Sequence, residues 1–432
     1  MHTIHKSSIL PGVSLTCIKT EKFKTGCLSL HLIGALSRET SAGYALLPRV
    51  LRRGSSELPD MERISAALDD LYGTRIEPIV RKKGEMHCIG LYTDFPDDKY
   101  IPGGENFLES AISLTGGILL SPDTRDGLLR EDYVESEKKN LIDDIRAIIN
   151  DKRSYSVNRL IKEMCAGEAY SASRLGDEDE AQSITQKSLT DLYHSLIKGS
   201  NVVITYCGAS EPGRVEDALR EALLALPERR HSALPETEVI PYPSGTAPRK
   251  VTESLDVTQG KLVAGFRLGK AMASAPDYPA LAVFNAVYGS GATSKLFLNV
   301  RERLALCYYA SSILDKYKGV MLVSSGIEIA NYSIALDEII AQLNYIKDGD
   351  IEDWELQSAK SSVVTSVKSS MDSPGGLIDL YFDSAVAPVR YDPEELCDKI
   401  ESVTLDDVVK TASEIALDTV YFLTGKEDGH DD

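Results

Sequence analysis

Two side chains that could act together in catalysis lie in the segment Thr293–Ser312, TSKLFLNVRERLALCYYASS. Arg301 ends a stretch with helical periodicity, and Tyr308 opens a stretch with strand composition seven residues later. Arginine supplies fixed, permanently charged hydrogen-bond donors, and tyrosine supplies a phenolic donor at the edge of an apolar ring. Donors of this kind stabilise negative charge that develops on a reacting oxygen. We therefore expect a helix, a short turn and a strand to position both side chains.

The centre of this segment, V-R-E-x-x-x-L-C-Y, resembles the substrate-binding segment of the pitrilysin/insulinase-type zinc metallopeptidases. The resemblance covers nearly the whole chain. It implies that Arg301 and Tyr308 bind the backbone of a substrate peptide and stabilise the oxyanion that forms when water attacks the peptide carbonyl.

The zinc motif of that family is degenerate in this chain. The family carries HxxEH on a helix of its first domain, where two histidines one turn apart bind zinc and the glutamate is the general base. The equivalent segment here is 42–55, AGYALLPRVLRRGS. Ala45 stands at the first ligand position, Pro48 at the base position and Arg49 at the second ligand position. Because these residues offer no metal-binding donor and Arg49 is a cation, we expect no conventional zinc site.

The third-ligand position keeps its carboxylate. Glu137, in YVESEKKNLIDDI, takes the place of the family's third zinc ligand. An ordinary charged helix face with local Glu–Lys pairs explains the same residues. We expect Arg49 to occupy the former metal pocket and to pair with a carboxylate such as Glu137. The histidines provide no alternative cluster, because His2 and His5 are close to the terminus and the others are isolated in sequence.

The two halves of the chain repeat similar features in the same order, which indicates an internal duplication. Thr185 and Thr404 each stand where a hydroxyl can cap a helix, and a strand follows each helix. The other repeated features are Ala45-Leu46 with Gly54-Ser55 and, 235 residues later, Ala280-Leu281 with Gly289-Ser290.

The predicted fold class is α+β, with two similar domains that face each other across a cleft. Each domain is expected to have a mostly antiparallel sheet with helices covering one face. We place the N-terminal domain at 1–225, a linker at 226–248 that holds five of the eighteen prolines, and the C-terminal domain at 249–432.

The composition of the chain indicates which classes of binding partner and which cellular compartment to expect. A net charge of −19 disfavours nucleic acid and an anionic membrane surface. Seven scattered cysteines without a CxxC pair, and no apolar run of membrane-spanning length, favour a cytoplasmic protein with reduced thiols.

These features predict the non-catalytic subunit of a heterodimeric zinc peptidase. The chain would bind no cofactor and would be inactive alone, while a homologous partner bearing HxxEH would carry the zinc and share the peptide substrate. The main alternative is an inactive scaffold or peptide-binding protein of the same fold, and a lone enzyme with an unrecognised site is a third. The isolated chain could also form a homodimer.

Overall fold

The computed structural model describes residues 2–102, 106–228, 233–270, 272–387 and 390–426. The strands are β1 (Thr3–Leu10), β2 (Val13–Lys19), β3 (Thr25–Ala35), β4 (Arg75–Lys83), β5 (Met86–Pro96), β6 (Thr124–Arg125), β7 (Leu128–Leu129), β8 (Asn201–Gly208), β9 (Arg249–Leu255), β10 (Gly260–Arg267), β11 (Cys307–Asp315), β12 (Val320–Ile327) and β13 (Ala416–Gly425). The α-helices are α1 (Ser41–Leu51), α2 (Met61–Asp70), α3 (Phe107–Leu120), α4 (Glu131–Ala147), α5 (Lys152–Met164), α6 (Glu178–Ser183), α7 (Gln186–Gly199), α8 (Pro212–Ala222), α9 (Tyr278–Tyr288), α10 (Tyr332–Lys347), α11 (Asp353–Ser370), α12 (Pro374–Val386), α13 (Pro393–Ser402) and α14 (Leu405–Ser413). A π-helix covers Leu296–Arg303.

The chain forms two compact units, each built from three separate segments. Unit 1 consists of Met1–Arg146, Ala172–Glu236 and Ser370–Ala387. Unit 2 consists of Ala147–Ser171, Thr237–Ser369 and Pro388–Asp432. The predicted linker at 226–248 contains one of these boundaries, and its residues 229–232 lie outside the described residues. The contiguous domains at 1–225 and 249–432 remain a prediction about the duplicated halves of the sequence. In the compact units, the N-terminal half contributes Ala147–Ser171 to unit 2 and the C-terminal half contributes Ser370–Ala387 to unit 1.

The sheets of the two units share one topology. Unit 1 has the strand order β1-β2-β8-β3-β5-β4, and unit 2 has the order β11-β12-β10-β13-β9. In each sheet the last strand of the unit pairs in parallel with one neighbour, β8 with β2 and β13 with β9. The other neighbouring strands are antiparallel. Read across the sheet, the order β2-β8-β3-β5-β4 in unit 1 corresponds to the order β9-β13-β10-β12-β11 in unit 2. This agreement confirms the predicted α+β fold with two similar domains.

The predicted helix caps are confirmed at equivalent places in the two units. Thr185 and Thr404 each form a capping box, in which the threonine hydroxyl accepts from the backbone N–H three residues on and that residue's side chain accepts in return. Asp60 likewise caps α2, and the chain leaves that helix through Gly73, whose φ of +75° suits glycine.

Each sheet is packed by helices on both faces, rather than on one as predicted. The main core of unit 1 includes Leu28 and Tyr206, while their strand neighbours Cys27 and Cys207 point to the opposite face. There they pack against Leu377, Ile378 and Tyr381 of α12, which comes from the C-terminal half.

Unit 2 shows the reciprocal arrangement. Leu160 of α5, from the N-terminal half, packs on Val263, Leu322, Tyr421 and Leu423 of the sheet. Each sequence half therefore contributes one helix to the other half's sheet. Among the described residues, none of the helices is both long enough and apolar enough to cross a bilayer.

Candidate functional site

The π-helix that carries Arg301 is held in unit 2 by a narrow apolar strip. Leu296 and Val300, four residues apart, are buried in the core. The N–H of Leu304 donates to the carbonyl of Asn299 over 3.1 Å, a five-residue step that defines the π-type turn. Ala305 then takes a left-handed φ of +49°, which ends the helix and leads into β11. Helices of this type are rare and occur frequently at functional sites.

Tyr308 lies at a β-bulge, where one extra residue interrupts the pairing of two strands. Cys307 pairs with Ile327 and Tyr309 pairs with Gly326, so that Tyr308 has no partner on β12. Such a bulge turns a side chain away from the regular alternation. The residue is 64% exposed, and its phenol is therefore presented to solvent at the start of the strand.

Arg301 makes weak contacts within the chain. Its Nε lies 3.5 Å from Oε1 of the adjacent Glu302, and its guanidinium carbon lies 4.6 Å from the ring centre of Phe297. The side chain is 41% exposed. An exposed ion pair of this kind contributes little energy, so the guanidinium can exchange it for a ligand at low cost. The π-helix packs against β11, which places Arg301 and Tyr308 on adjoining elements as the sequence predicted.

The helix α1, which carries the positions predicted to correspond to the family's zinc motif, is part of the apolar core of unit 1. Ala45 is fully buried there, and Pro48 lies inside the helix. Arg49 donates from Nη1 to Oδ2 of Asp144 over 2.7 Å. A methyl group, a proline ring and a paired guanidinium supply no donor to a metal. The residues present therefore do not fit zinc, and among the described residues no group of three or more His, Cys, Asp or Glu could hold a metal ion.

Arg49 pairs with a carboxylate, as predicted, but the partner is Asp144 and not Glu137. Glu137 accepts instead from Nη1 of Arg53 at 3.0 Å and from Nδ2 of Asn140 at 3.2 Å. Arg49 comes before Arg53 in the sequence, by four residues. Their partners on α4 come in the opposite order, because Asp144, the partner of Arg49, follows Glu137, the partner of Arg53, by seven residues. Arg53, which follows the C-terminus of α1, therefore reaches the buried Glu137, and Arg49 reaches the more exposed Asp144.

Glu180 is a partly buried carboxylate beside α1 that no sequence motif indicates. Its Oε1 accepts from the N–H of Ala42 over 2.7 Å, at the first turn of α1, where Thr40 makes no side-chain cap. Gly176, with a φ of +74°, allows this approach, because a Cβ there would lie 2.5 Å from Ala42. Burial raises the pKa of Glu180 to about 7. The acidic run D-E-D-E after Gly176 was the available signal, although sequence alone does not show which carboxylate faces α1.

Known proteins with similar sequences indicate the family to which this chain belongs. Residues 183–363 match the family model described as the Peptidase M16 inactive domain. The chain is 34% identical to the probable inactive metalloprotease YmfF of Bacillus subtilis, over 96% of each chain. It is also 25% identical, over 55% of this chain and 54% of the relative, to the beta subunit of the mitochondrial-processing peptidase of Saccharomyces cerevisiae.

A solved structure shows the same fold over the full length. A conserved protein from Enterococcus faecalis superposes with a TM-score of 0.90 at 26% identity, over 99% of each chain. The identity to YmfF over almost the whole chain, the matching family model and the degenerate α1 lead to one conclusion. The chain belongs to the M16 peptidase family, the family of pitrilysin and insulinase, as an inactive member.

Proposed function

We propose that this chain is the non-catalytic subunit of a two-chain zinc peptidase, in which a homologous partner bearing HxxEH supplies the zinc. Arg301 and Tyr308 of this chain bind the backbone of the substrate peptide and stabilise the oxyanion. The single observation that carries the proposal is an asymmetry between the two units: the metal-binding chemistry is gone from α1, while the two hydrogen-bond donors of unit 2 are exposed and held by special backbone geometry.

The energetics of the two places support the same division of roles. The cations and carboxylates of the former metal region are used in internal pairs, Arg49 with Asp144 and Arg53 with Glu137. Among the described residues, the carboxylate that pairs with Arg301 is the solvent-exposed Glu302, and Tyr308 is exposed. A relative of this chain is named as one subunit of a processing peptidase, which supports a role in an assembly of related chains.

The test is reconstitution of the two-chain enzyme. The tagged chain is purified from its source organism, and a captured chain of similar size with HxxEH is expressed and mixed with it. The proposal expects neither chain alone to cleave a fluorogenic peptide mixture and the two together to cleave it, with zinc bound at the partner. Cleavage by the partner alone at the rate of the mixture would contradict the proposal and favour a scaffold role for this chain.

A further inference from the structure

A buried ion pair fixes the start of the π-helix. Nζ of Lys295, the residue before Leu296, lies 3.0 Å from Oε1 and 2.9 Å from Oε2 of Glu355 on α11. Both side chains are almost fully buried, at 8% and 7% exposure. Glu355 also accepts from the N–H of Glu352 over 2.8 Å, so its own position is fixed. Buried pairs of this kind are poor stabilisers, and their best-attested use is to fix register.

Two further polar contacts continue along the same side of the helix. Nδ2 of Asn299 donates to Oε1 of the buried Gln342 over 2.7 Å, and Gln342 donates in turn to Glu338 over 2.6 Å. Arg303 lies 3.7 Å from the same carboxylate of Glu338. Both acceptors belong to α10, so the polar side of the π-helix is tied to two neighbouring helices.

Residues four apart lie on the same side of the π-helix, and three of these sides bear on Arg301. Lys295, Asn299 and Arg303 form the anchored side, which we call the anchor ladder. Leu296 and Val300 form the buried apolar side. Phe297 and Arg301 form the third side, where the guanidinium lies over the Phe297 ring. A rotation of the helix about its axis would break the ladder and would turn Arg301 away from its present direction.

We propose that the anchor ladder, and the Lys295–Glu355 pair above all, is the positioning device for Arg301. The apolar contacts of Leu296 and Val300 are non-directional, so they fix the rotation of the helix less firmly than a buried ion pair with both carboxylate oxygens engaged. The inference rests on the proposed function, because Arg301 needs a fixed direction only if it binds the substrate of the two-chain enzyme.

The test is a double-mutant cycle on the reconstituted two-chain peptidase with the fluorogenic peptide that the wild-type mixture cleaves. One arm is Lys295→Met with Glu355→Leu, which removes both charges together and leaves neither buried without a partner. The other arm is Arg301→Ala, and the combined variant closes the cycle. Asn299→Ala is a second, milder ladder variant, and Lys295→Arg is the conservative variant that retains the charge.

A ladder that positions Arg301 gives non-additive losses. The expected result is a loss of kcat of about tenfold for the Lys295→Met/Glu355→Leu variant, a smaller loss for Asn299→Ala and near-wild-type turnover for Lys295→Arg. In the Arg301→Ala background the same ladder changes should alter kcat by less than about twofold, because the group that they position is gone.

A matched control separates positioning from general stability. Arg159→Met removes a partly buried ion pair with Glu253 elsewhere in unit 2, and any effect on turnover should be the same in both backgrounds. Ladder losses that persist unchanged in the Arg301→Ala background would overturn the inference while leaving the proposed function intact. Unchanged kcat in Arg301→Ala itself would overturn the role proposed for Arg301 and, with it, the inference.

Discussion

Arg53 donates a hydrogen bond to Glu137 over 3.0 Å, so a cation of this chain pairs with the carboxylate that the resemblance predicts as the counterpart of the family's third zinc ligand. The side chain of Glu137 is 11% exposed, and Asn140 donates to its other oxygen. One turn earlier, Arg49 pairs with Asp144, whose side chain is 56% exposed. The segment therefore contains two arginines of similar exposure whose carboxylate partners differ strongly in burial.

This difference predicts unequal costs for the same substitution. Arg53→Met leaves the buried Glu137 with one partner fewer and should lower the free energy of unfolding by about 2 kcal/mol. Arg49→Met, the matched control, leaves an exposed carboxylate that water can solvate and should cost about 0.5 kcal/mol or less. Urea unfolding of the two variants measures both values, and an equal or reversed ranking would contradict the assigned partners.

Glu180 predicts a pH dependence of stability. Its pKa is raised from 4.5 to about 7 in the folded chain, so the folded state holds the proton more tightly than the unfolded state. The stability that this group contributes is complete below about pH 4.5 and is lost as the pH rises through 7. Because the carboxylate is partly exposed, we expect the free energy of unfolding to fall by about 2 kcal/mol, which is less than the full difference between the unfolded and folded pKa values would give.

Glu180→Gln should remove that dependence. The amide oxygen can still accept from Ala42, and it carries no charge. The variant should equal the wild type at pH 5 and exceed it in stability at pH 8, as measured by unfolding at each pH. The exposed neighbour Asp179, changed to Asn, serves as the control and should keep the wild-type slope; a Glu180→Gln variant with the same slope would refute the role of Glu180.

A buried charge cluster in unit 2 predicts a large loss of stability. Glu168 lies 2.6 Å from Nη2 of Arg267 and 2.6 Å from Nζ of Lys318, which is fully buried. Glu168→Gln removes the carboxylate that Arg267 and Lys318 share, leaves Asp418 as the remaining carboxylate beside Arg267 and should cost about 3–5 kcal/mol. Glu163→Gln is the control, since its partner Arg249 is 55% exposed, and it should cost less than about 1 kcal/mol. Similar melting temperatures for the two variants would contradict the predicted contrast.

The exchange of α5 and α12 predicts that the two halves of the chain stay associated after the backbone between them is cleaved. Residues 244–248 are exposed and belong to no helix or strand, and a protease site inserted between Ser244 and Gly245 would open the connection. The two fragments should co-elute, because each contains a helix that packs into the other fragment's sheet. The same cut with Leu160→Asp and Leu377→Asp should let them separate; separation without those changes would refute the exchange as the fastening element.

The local features of this fold followed from the sequence more directly than the long-range ones. The caps at Thr185 and Thr404 and the strand Asn201–Gly208 were predictable, because capping and strand composition depend on near neighbours. The exchange of α5 and α12 was not, since helical periodicity shows that a helix buries one side but not which sheet receives it.

In the candidate site too, the sequence indicated local patterns but not long-range contacts. Three positions of the zinc motif and the Arg301–Tyr308 segment were visible as sequence patterns. The choice of Arg53 over Arg49 as the partner of Glu137 depends on how α1 and α4 run past each other, and that relationship has no local signal. The sequence pattern predicts an ordinary helix that ends at Arg301, whereas the structure has a π-helix over Leu296–Arg303, because the two helix types share almost the same apolar spacing.

The most direct test of the central claim is the turnover of the reconstituted two-chain peptidase with Arg301→Ala and, separately, Tyr308→Phe in this chain. The account predicts that each variant binds the partner as the wild type does and lowers kcat by about 100-fold or more, the usual effect of removing one oxyanion donor. Wild-type kcat in both variants, with the complex intact, would contradict the claim that this chain contributes to catalysis.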